Sequence, residues 1–380
     1  MDFNLPEEVE EFRATAREFA RREIAPLVEE AERTERTPRE LFRVAGRGGF
    51  LGIRYPESVG GAGASCLAET VLREELGYVC SGLGAALSVS SHLGTYPIHA
   101  FGTEEQQERY LREALTGEKV SAFALTEPDA GSDVRAIKTK AVPAGGGWGL
   151  TGRKTFITNA PIADFMIVVA YTDPAAGIDG MALFIVDLPA DGVTVNRIRK
   201  MGNLSSEIGE VVLDNVEVPR DACLGGERGA FKKVMQTLNV GRVIVAGGAL
   251  GVARAALEGA VAYAQDRSAF GHRIGEYQGV SFPLAKAHAA IEGARLATYK
   301  AAWLFDEGHR PVLETSTAKL LASEAALYVT DAAIRVFGGY GYMREYPIER
   351  YYRDARYFAI VEGTSEIHQR VIARELGLPA

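Results

Sequence analysis

Cysteine is scarce in this 380-residue chain, and its three copies, Cys66, Cys80 and Cys223, stand far apart with no CxxC or Cys/His spacing. That excludes a disulfide framework and gives no sign of a zinc site, so the three are read as small buried apolar residues. Excess positive charge is also missing. Lys and Arg total 42 against 50 Asp and Glu, a formal net charge of −8, and the basic residues are scattered. Nothing electrostatic therefore points to nucleic acid as a partner. No apolar run is read as reaching the roughly 18 residues that a membrane helix needs. The opening MDFNLPEEVEEF is acidic rather than signal-like, so no membrane and a cytoplasmic setting are expected. Internal repeats, low-complexity stretches and an alternating βαβα pattern are absent as well, and the last of these disfavours a doubly wound nucleotide fold.

What remains is an ordinary globular composition, 47% hydrophobic and 24% charged, in a chain too long for a single core. From Pro6 to about Gly117 the pattern is helical: Val9, Phe12, Ala16, Phe19 and Ile24 recur near helical spacing with charges between them. The glycine-rich PESVGGAGAS at 56–65 lacks GxGxxG spacing and reads as a turn. Between about Lys119 and Glu227 the pattern changes to short β-branched runs, WGLTGRKTFIT, FMIVVAYT, MALFIVDL and EVVLDNVEV, with DPAAGIDG joining the middle pair and AGGGWG at 144–149 as a hairpin turn. Helical spacing returns at Gly229 with Phe231, Val234, Met235 and Leu238, followed by long Ala-rich helices. The expectation is an α+β protein of three domains: helical over 1–118, β over 119–227 and helical again over 228–380.

Three segments carry unusual chemistry. AFALTEPDAGSD, 122–133, is a polar loop rich in backbone and hydroxyl donors; by composition alone it is equally a surface connector. GRKTFITNA, 152–160, sets Phe156 and Thr158 two apart and so on one side of a strand, where an aromatic is usually core. RVFGGYGYMREYPIERYYRDARYFAIVEGTSEIHQR, 335–370, contains paired glycines, aromatics and Glu362. That glutamate follows the apolar run Phe358–Val361 and precedes Gly363, a poor place for a charge that serves only solubility. Taken alone, it reads as a helix-terminal or turn residue.

Together, in this order and at these distances, the segments closely resemble the acyl-CoA dehydrogenase family along nearly the whole chain. The resemblance implies an all-α N-terminal domain, a middle antiparallel β domain and a C-terminal four-helix bundle. It implies FAD as cofactor and an acyl-CoA thioester as substrate, in fatty acid β-oxidation. Glu362 matches the family's base, which removes the α-proton while a β-hydride leaves for flavin N5. In some members the base comes instead from the helix that here reads LNVGRVIVAGG, at a position matching Gly241. A solvated carboxylate is too weak a base for such a proton, so the site must exclude water and stabilise the enolate.

Carried over position by position, Phe123, Leu125, Thr126, Gly131 and Ser132 match the loop that meets the flavin ring and phosphates. Phe156 and Thr158 match the pair beside the isoalloxazine. Thr364 and Glu366 match positions at the phosphate and adenine end. Arg267, Phe270, Gln278, Arg335, Gly338 and Gly339 match residues that hold the ADP half of a neighbouring subunit's FAD, which implies a homo-oligomer, usually a homotetramer. Ser132, Asn239, Arg242 and Gly363 match substrate contacts, Arg242 near the CoA pantetheine. Without the resemblance, Arg267 reads as a helix-terminal cation and the glycine pair as a turn.

Four positions depart from the common pattern: Phe156 for Trp, Asn239 for Asp, Arg335 for Gln, and Val361 for an aromatic before the base. The resemblance further implies an electron-transferring flavoprotein as acceptor. Glutaryl-CoA dehydrogenases carry an arginine at the position of Gly84, so a dicarboxylic substrate is disfavoured, while short to medium and branched-chain acyl-CoAs stay open. Flavin oxidases and monooxygenases of the same fold are the nearest rivals, distinguished by the reactivity of their reduced flavin with oxygen. A non-catalytic member of the fold is the second, and it would lack the base or the flavin loop.

Overall fold

The computed structural model describes residues 4–379. Helices α1 (Glu7–Phe19), α2 (Val28–Thr34), α3 (Glu40–Arg47), α4 (Cys66–Val79), α5 (Ser81–Ser88), α6 (Tyr96–Phe101), α7 (Glu104–Gln106) and α8 (Arg112–Leu115) come first. Helix α1 starts as its sequence dictates, with Glu7, Glu8 and Glu10 in the first turn, where the helix dipole favours negative charge. Its predicted inner face is buried at Val9, Ala16 and Phe19, and Ile24 is buried in the wider turn that continues it.

Strands follow: β1 (Ser121–Ala124), β2 (Lys140–Ala144), β3 (Gly147–Thr158), β4 (Phe165–Tyr171), β5 (Met181–Asp187), β6 (Val193–Arg197), β7 (Ile208–Val218) and β8 (Cys223–Leu224). They form one sheet in the order β6-β7-β3-β2-β4-β5-β8, with β1 added beside β4. The pairing is mainly antiparallel. Its parallel exceptions are β1 with β4, Ser121 opposite Phe165, and one residue pair of β2 with β4. Strand β4 is a continuous apolar run because both its faces are covered. Phe165, Ile167 and Val169 pack with Tyr110, Leu111, Val234 and Leu238 of the helices. Met166, Val168 and Ala170 pack with Leu150, Phe184, Val211 and Leu213 of the sheet. The AGGGWG stretch is the expected hairpin: Ala144 pairs Gly147, and Gly145 and Gly146 between them have φ of 56° and 87°, the left-handed pair that a two-residue turn demands.

The last third holds α9 (Ala230–Asp266), a small hairpin of β9 (Ser268–Ala269) and β10 (His272–Arg273), then α10 (Gln278–Asp306), α11 (Val312–Phe337), α12 (Ile348–Phe358) and α13 (Ser365–Glu375). One sequence expectation is corrected here. Helix α9 does contain a stretch long and apolar enough to cross a membrane, with mean hydropathy 1.5. Its hydropathy comes largely from Val, Ile and Leu with alanines between them, and 83% of the stretch is buried in the protein's own interior. Cys66 and Cys80 are buried as expected, whereas Cys223 is half-buried.

Helices α4 and α9 meet at backbone contact. A Cβ on Gly77 would overlap the carbonyl of Gly248, and one on Gly251 would overlap that of Glu74. From Cys66 to Gly77, α4 is wholly buried, including Glu69, Arg73, Glu74 and Glu75. Glu74 and Glu75 are met by Arg254 of α9 at 2.7 and 2.8 Å, and Tyr299 of α10 donates to Glu74 at 2.6 Å. Glu69 is met by Arg54 at 3.1 Å. Buried charges persist only when paired in this way.

Candidate active site

Between α12 and α13 the chain makes a tight turn in which Glu362 has φ 51° and Gly363 φ 101°. A left-handed glutamate costs on the order of 1 kcal/mol and must be held by its surroundings. Two cations hold it: Lys319 Nζ of α11 donates to the Gly363 carbonyl at 2.7 Å, and Arg242 Nε of α9 donates to that of Glu362 at 3.1 Å. Ser323 Oγ anchors the end of α12 by donating to Phe358 O at 2.9 Å. Thr364 caps α13, its hydroxyl accepting from Ile367 N at 3.4 Å. Glu366 is exposed in the next turn.

The turn aims the Glu362 side chain at α9. Residue 362 keeps some exposure overall, but its Oε2 is sealed and has no hydrogen-bond partner. Burial pushes the carboxyl up to about 7, against the pull of Arg242, Lys319 and Arg73. The same burial pushes Lys319 down to about 7 and the Tyr357 phenol up to about 12. No hydrogen bond from the Glu362 backbone N–H is found among the described residues. Asn239, one turn before Arg242 on α9, also has a buried unpartnered oxygen, Oδ1. A desolvated carboxylate that titrates near neutrality, beside an unused amide donor, is equipped to take a proton.

The flavin-loop positions form a second group. Phe123 and Leu125 are buried, leaving their backbone to meet a ligand, while Gly131 and Ser132 are exposed. The loop is fixed to β3 by Thr155 N donating to Thr126 O at 2.9 Å, and by Lys154 Nζ donating to Leu125 O at 3.1 Å and to Glu127 at 2.8 Å. Glu127 also accepts from the Thr139 hydroxyl at 2.5 Å and from two backbone amides. Between Lys154 and Ile157 the β3–β7 register slips, and Phe156 sits in that bulge with φ 59°. A bulge re-aims a side chain, and Phe156 is 64% exposed rather than in the core. Thr158 is half-buried at the end of the same strand.

The third group lies at the other end of the helical unit. Arg267 stacks over Tyr340 at 5.8 Å, next to Gly338 and Gly339, and Gln278 begins α10. Phe270 is 94% exposed at the tip of the β9–β10 hairpin, with φ 52°. Arg335 is exposed and paired with Asp331 at 2.9 Å. The nineteen residues of α11 from Lys319 to Phe337 put this group about 27 Å along that helix from the Glu362 turn. The structure thus brings Glu362, Gly363, Thr364, Arg242 and Asn239 together and keeps the Arg267 group apart.

These surroundings fit FAD. An exposed ring in a bulge offers a stacking face, a Cβ on Gly131, Gly338 or Gly339 would meet nothing within 4 Å, and the base-like carboxylate lacks a partner. The residues that reading by position passed over are Lys154, Glu127, Lys319, Tyr357 and Arg73. A lone lysine inside the small-residue run TSTAKLLASEAAL is the one signal for Lys319.

A helical unit, a covered sheet and a second helical unit, with a desolvated glutamate turned toward a glycine on α9, define the class as an FAD-dependent oxidoreductase. Family models for the acyl-CoA dehydrogenase N-terminal, middle and C-terminal domains match residues 6–118, 122–216 and 229–377. The chain belongs to the acyl-CoA dehydrogenase family. It is 43% identical to an acyl-CoA dehydrogenase of Bacillus subtilis, covering 96% of each chain. It is 40% identical to the caffeyl-CoA reductase-Etf complex subunit CarC of Acetobacterium woodii, over 95% of this chain and 96% of that one. Among solved structures, butyryl-CoA dehydrogenase from Megasphaera elsdenii superposes with a TM-score of 0.95 at 39% identity, covering 99% of this chain and 100% of the other.

Proposed function

We propose that this chain converts a short- to medium-chain or branched acyl-CoA thioester to its trans-2-enoyl-CoA, with Glu362 as the base. The observation that carries this reading is the sealed, unbonded Oε2 of a carboxyl pushed to about 7. FAD, when bound, supplies N5 as acceptor of the β-hydride. Glu362 takes the α-proton, and its burial gives the carboxylate the basicity that water would remove. Its free backbone N–H polarises the thioester carbonyl, where enolate charge develops, as a preorganised oxyanion donor. Lys319 and Arg242 keep that N–H and the carboxylate in place by holding the carbonyls of the same turn.

Residues 1–118, 119–227 and 228–380 act as the three domains. Phe123, Leu125, Thr126, Gly131, Ser132, Phe156, Thr158, Thr364 and Glu366 hold the chain's own FAD. Arg267, Phe270, Gln278, Arg335, Gly338 and Gly339, far along α11 from the Glu362 turn, serve a second copy in a homo-oligomer, which the family resemblance makes a homotetramer. Ser132, Asn239, Arg242 and Gly363 meet the CoA ester. Electrons pass to an electron-transferring flavoprotein, a reading supported by the similarity to an Etf-complex subunit. That subunit is named a reductase, so the reverse reaction is a second reading, decided by which direction the acceptor drives.

Anaerobic titration of the purified FAD-loaded protein with saturated acyl-CoA esters tests the proposal. Bleaching of the flavin by one group of esters, lost in Glu362→Gln with FAD still bound, is the expected result. A yellow protein that no ester bleaches would overturn it.

A further inference from the structure

Among the described residues of α13, only His368 is buried, at 0% exposure. Both its ring nitrogens are sealed, and neither has a hydrogen-bond partner among the described residues. An apolar side chain would fill the same space without stranding two polar atoms, so packing alone does not account for an imidazole here.

Its surroundings do. The His368 backbone N donates to Thr364 O at 3.1 Å in the first turn of α13, which sets the ring beside the turn that carries Glu362. A Cβ on Gly363 would lie 3.2 Å from Nε2 and 3.6 Å from Cε1, so the ring stands behind the Gly363 α-carbon and leaves the turn no room to relax toward α13. Facing the ring are the carbonyls of Gly363 and Glu362, with Lys319 of α11 and Arg242 of α9, the two cations that donate to those carbonyls. Burial, and then these cations, push the imidazole down to about 3, so it is uncharged at neutral pH. That matters for the base. Arg242 and Lys319 hold the turn but also draw the Glu362 carboxyl down, whereas an uncharged ring holds it without taking basicity away.

We propose that His368 is a positioning residue for the Glu362 turn: its imidazole backs Gly363 and offers its N–H to the turn carbonyls, and so keeps the Glu362 carboxylate and backbone N–H aimed at the thioester. This rests on the dehydrogenase reading above.

His368→Leu and His368→Gln are compared with the wild type, all FAD-loaded, by stopped-flow bleaching with the saturated acyl-CoA that bleaches the wild type fastest. His368→Leu keeps bulk and removes both nitrogens. It is expected to slow bleaching at saturating ester by roughly 10- to 100-fold, the scale of a base misplaced by about 1 Å, with little change in ester affinity. His368→Gln keeps a donor and an acceptor, and is expected to recover most of that rate and to leave the pH limb in place because no charge changes. Hydrogen exchange at the backbone amides of residues 359–367 is expected to quicken in the leucine variant and not in the glutamine variant. Bleaching by His368→Leu at the wild-type rate overturns the proposal, and so does a loss of ester affinity that accounts for the whole effect. If the leucine variant does not fold, the glutamine variant decides: a wild-type rate and limb support the proposal, and a folded variant with a roughly tenfold or greater loss, or a displaced limb, overturns it. If no ester bleaches the wild type, the dehydrogenase reading fails, and exchange at residues 359–367 still decides whether His368 holds the turn.

Discussion

The Glu362 carboxylate lies against the bare α-carbon of Gly241: a Cβ built there falls 3.0 Å from Cδ and closer still to Oε2. The turn before α13 and helix α9 therefore converge on one place, and under the proposed reaction the base reaches it from the turn rather than from α9. Glycine at 241 is what makes room for glutamate at 362.

This relationship predicts that Gly241→Ala displaces the carboxylate and lowers the rate of flavin bleaching by roughly 10- to 100-fold, because misplacing a base by about 1 Å costs that much. Glu362→Gly should lose about 100- to 10,000-fold, the usual share of a positioned base. Adding Gly241→Glu to Glu362→Gly should recover at least part of that loss. Stopped-flow bleaching of the three variants, each checked for bound FAD, measures this, and a double variant no faster than Glu362→Gly would show that α9 cannot deliver the group.

A carboxyl at about 7 gives the reaction a pH limb. The active form is deprotonated, so kcat/KM should rise with pH through about 7. Lys319 draws the value down, and Lys319→Met should therefore move the limb to higher pH. Stability runs the other way. The folded value exceeds the ordinary 4.5, so the folded state holds this proton more tightly than the unfolded state between the two. The contribution is full below about 4.5 and is lost as pH rises through about 7. Glu362→Gln should accordingly raise Tm at pH 8, by a margin that shrinks toward pH 4.5. A pH–rate profile and melting at the two pH values check both halves.

Lys154 and Glu127 form a buried pair at 2.8 Å that fixes the loop proposed to hold FAD to β3. Burial pushes Lys154 down to about 8, and Lys154 in turn holds Glu127 below its ordinary range. Removing one partner strands the other, at about 3–5 kcal/mol. Lys154→Met should lower Tm by several degrees and release FAD, and Lys154→Met with Glu127→Gln should restore much of the stability. Differential scanning calorimetry and flavin retention on gel filtration distinguish these outcomes.

The order of helices and strands was legible because periodicity changes cleanly near Lys119 and Gly229, and because β4 has the unbroken apolar run of a strand covered on both faces. What escaped was set by three-dimensional packing. Phe156 reads as core by its place in a strand, and only the register slip against β7 turns it outward. Glu362 was legible through its motif, but its left-handed backbone and the cations that hold it come from helices more than forty residues away.

The Arg267 group makes the last prediction. A phenylalanine 94% exposed in a left-handed hairpin tip is unfavourable twice over for an isolated chain, through its apolar surface and its backbone. Both costs are offset if the ring is covered by a cofactor held in another copy. Phe270→Ser should then leave Tm of the apoprotein unchanged or higher while lowering FAD affinity by roughly tenfold or more, since a stacked ring contributes on the order of 1 kcal/mol beyond its buried area. Subunit mixing makes the cross-chain point directly. In heteromers of Glu362→Gln and Phe270→Ser chains, sites that pair an intact Glu362 with an intact Phe270 from another copy re-form, and activity should exceed that of either parent. Activity no greater than the sum of the two parents would place Phe270 in its own chain's site instead.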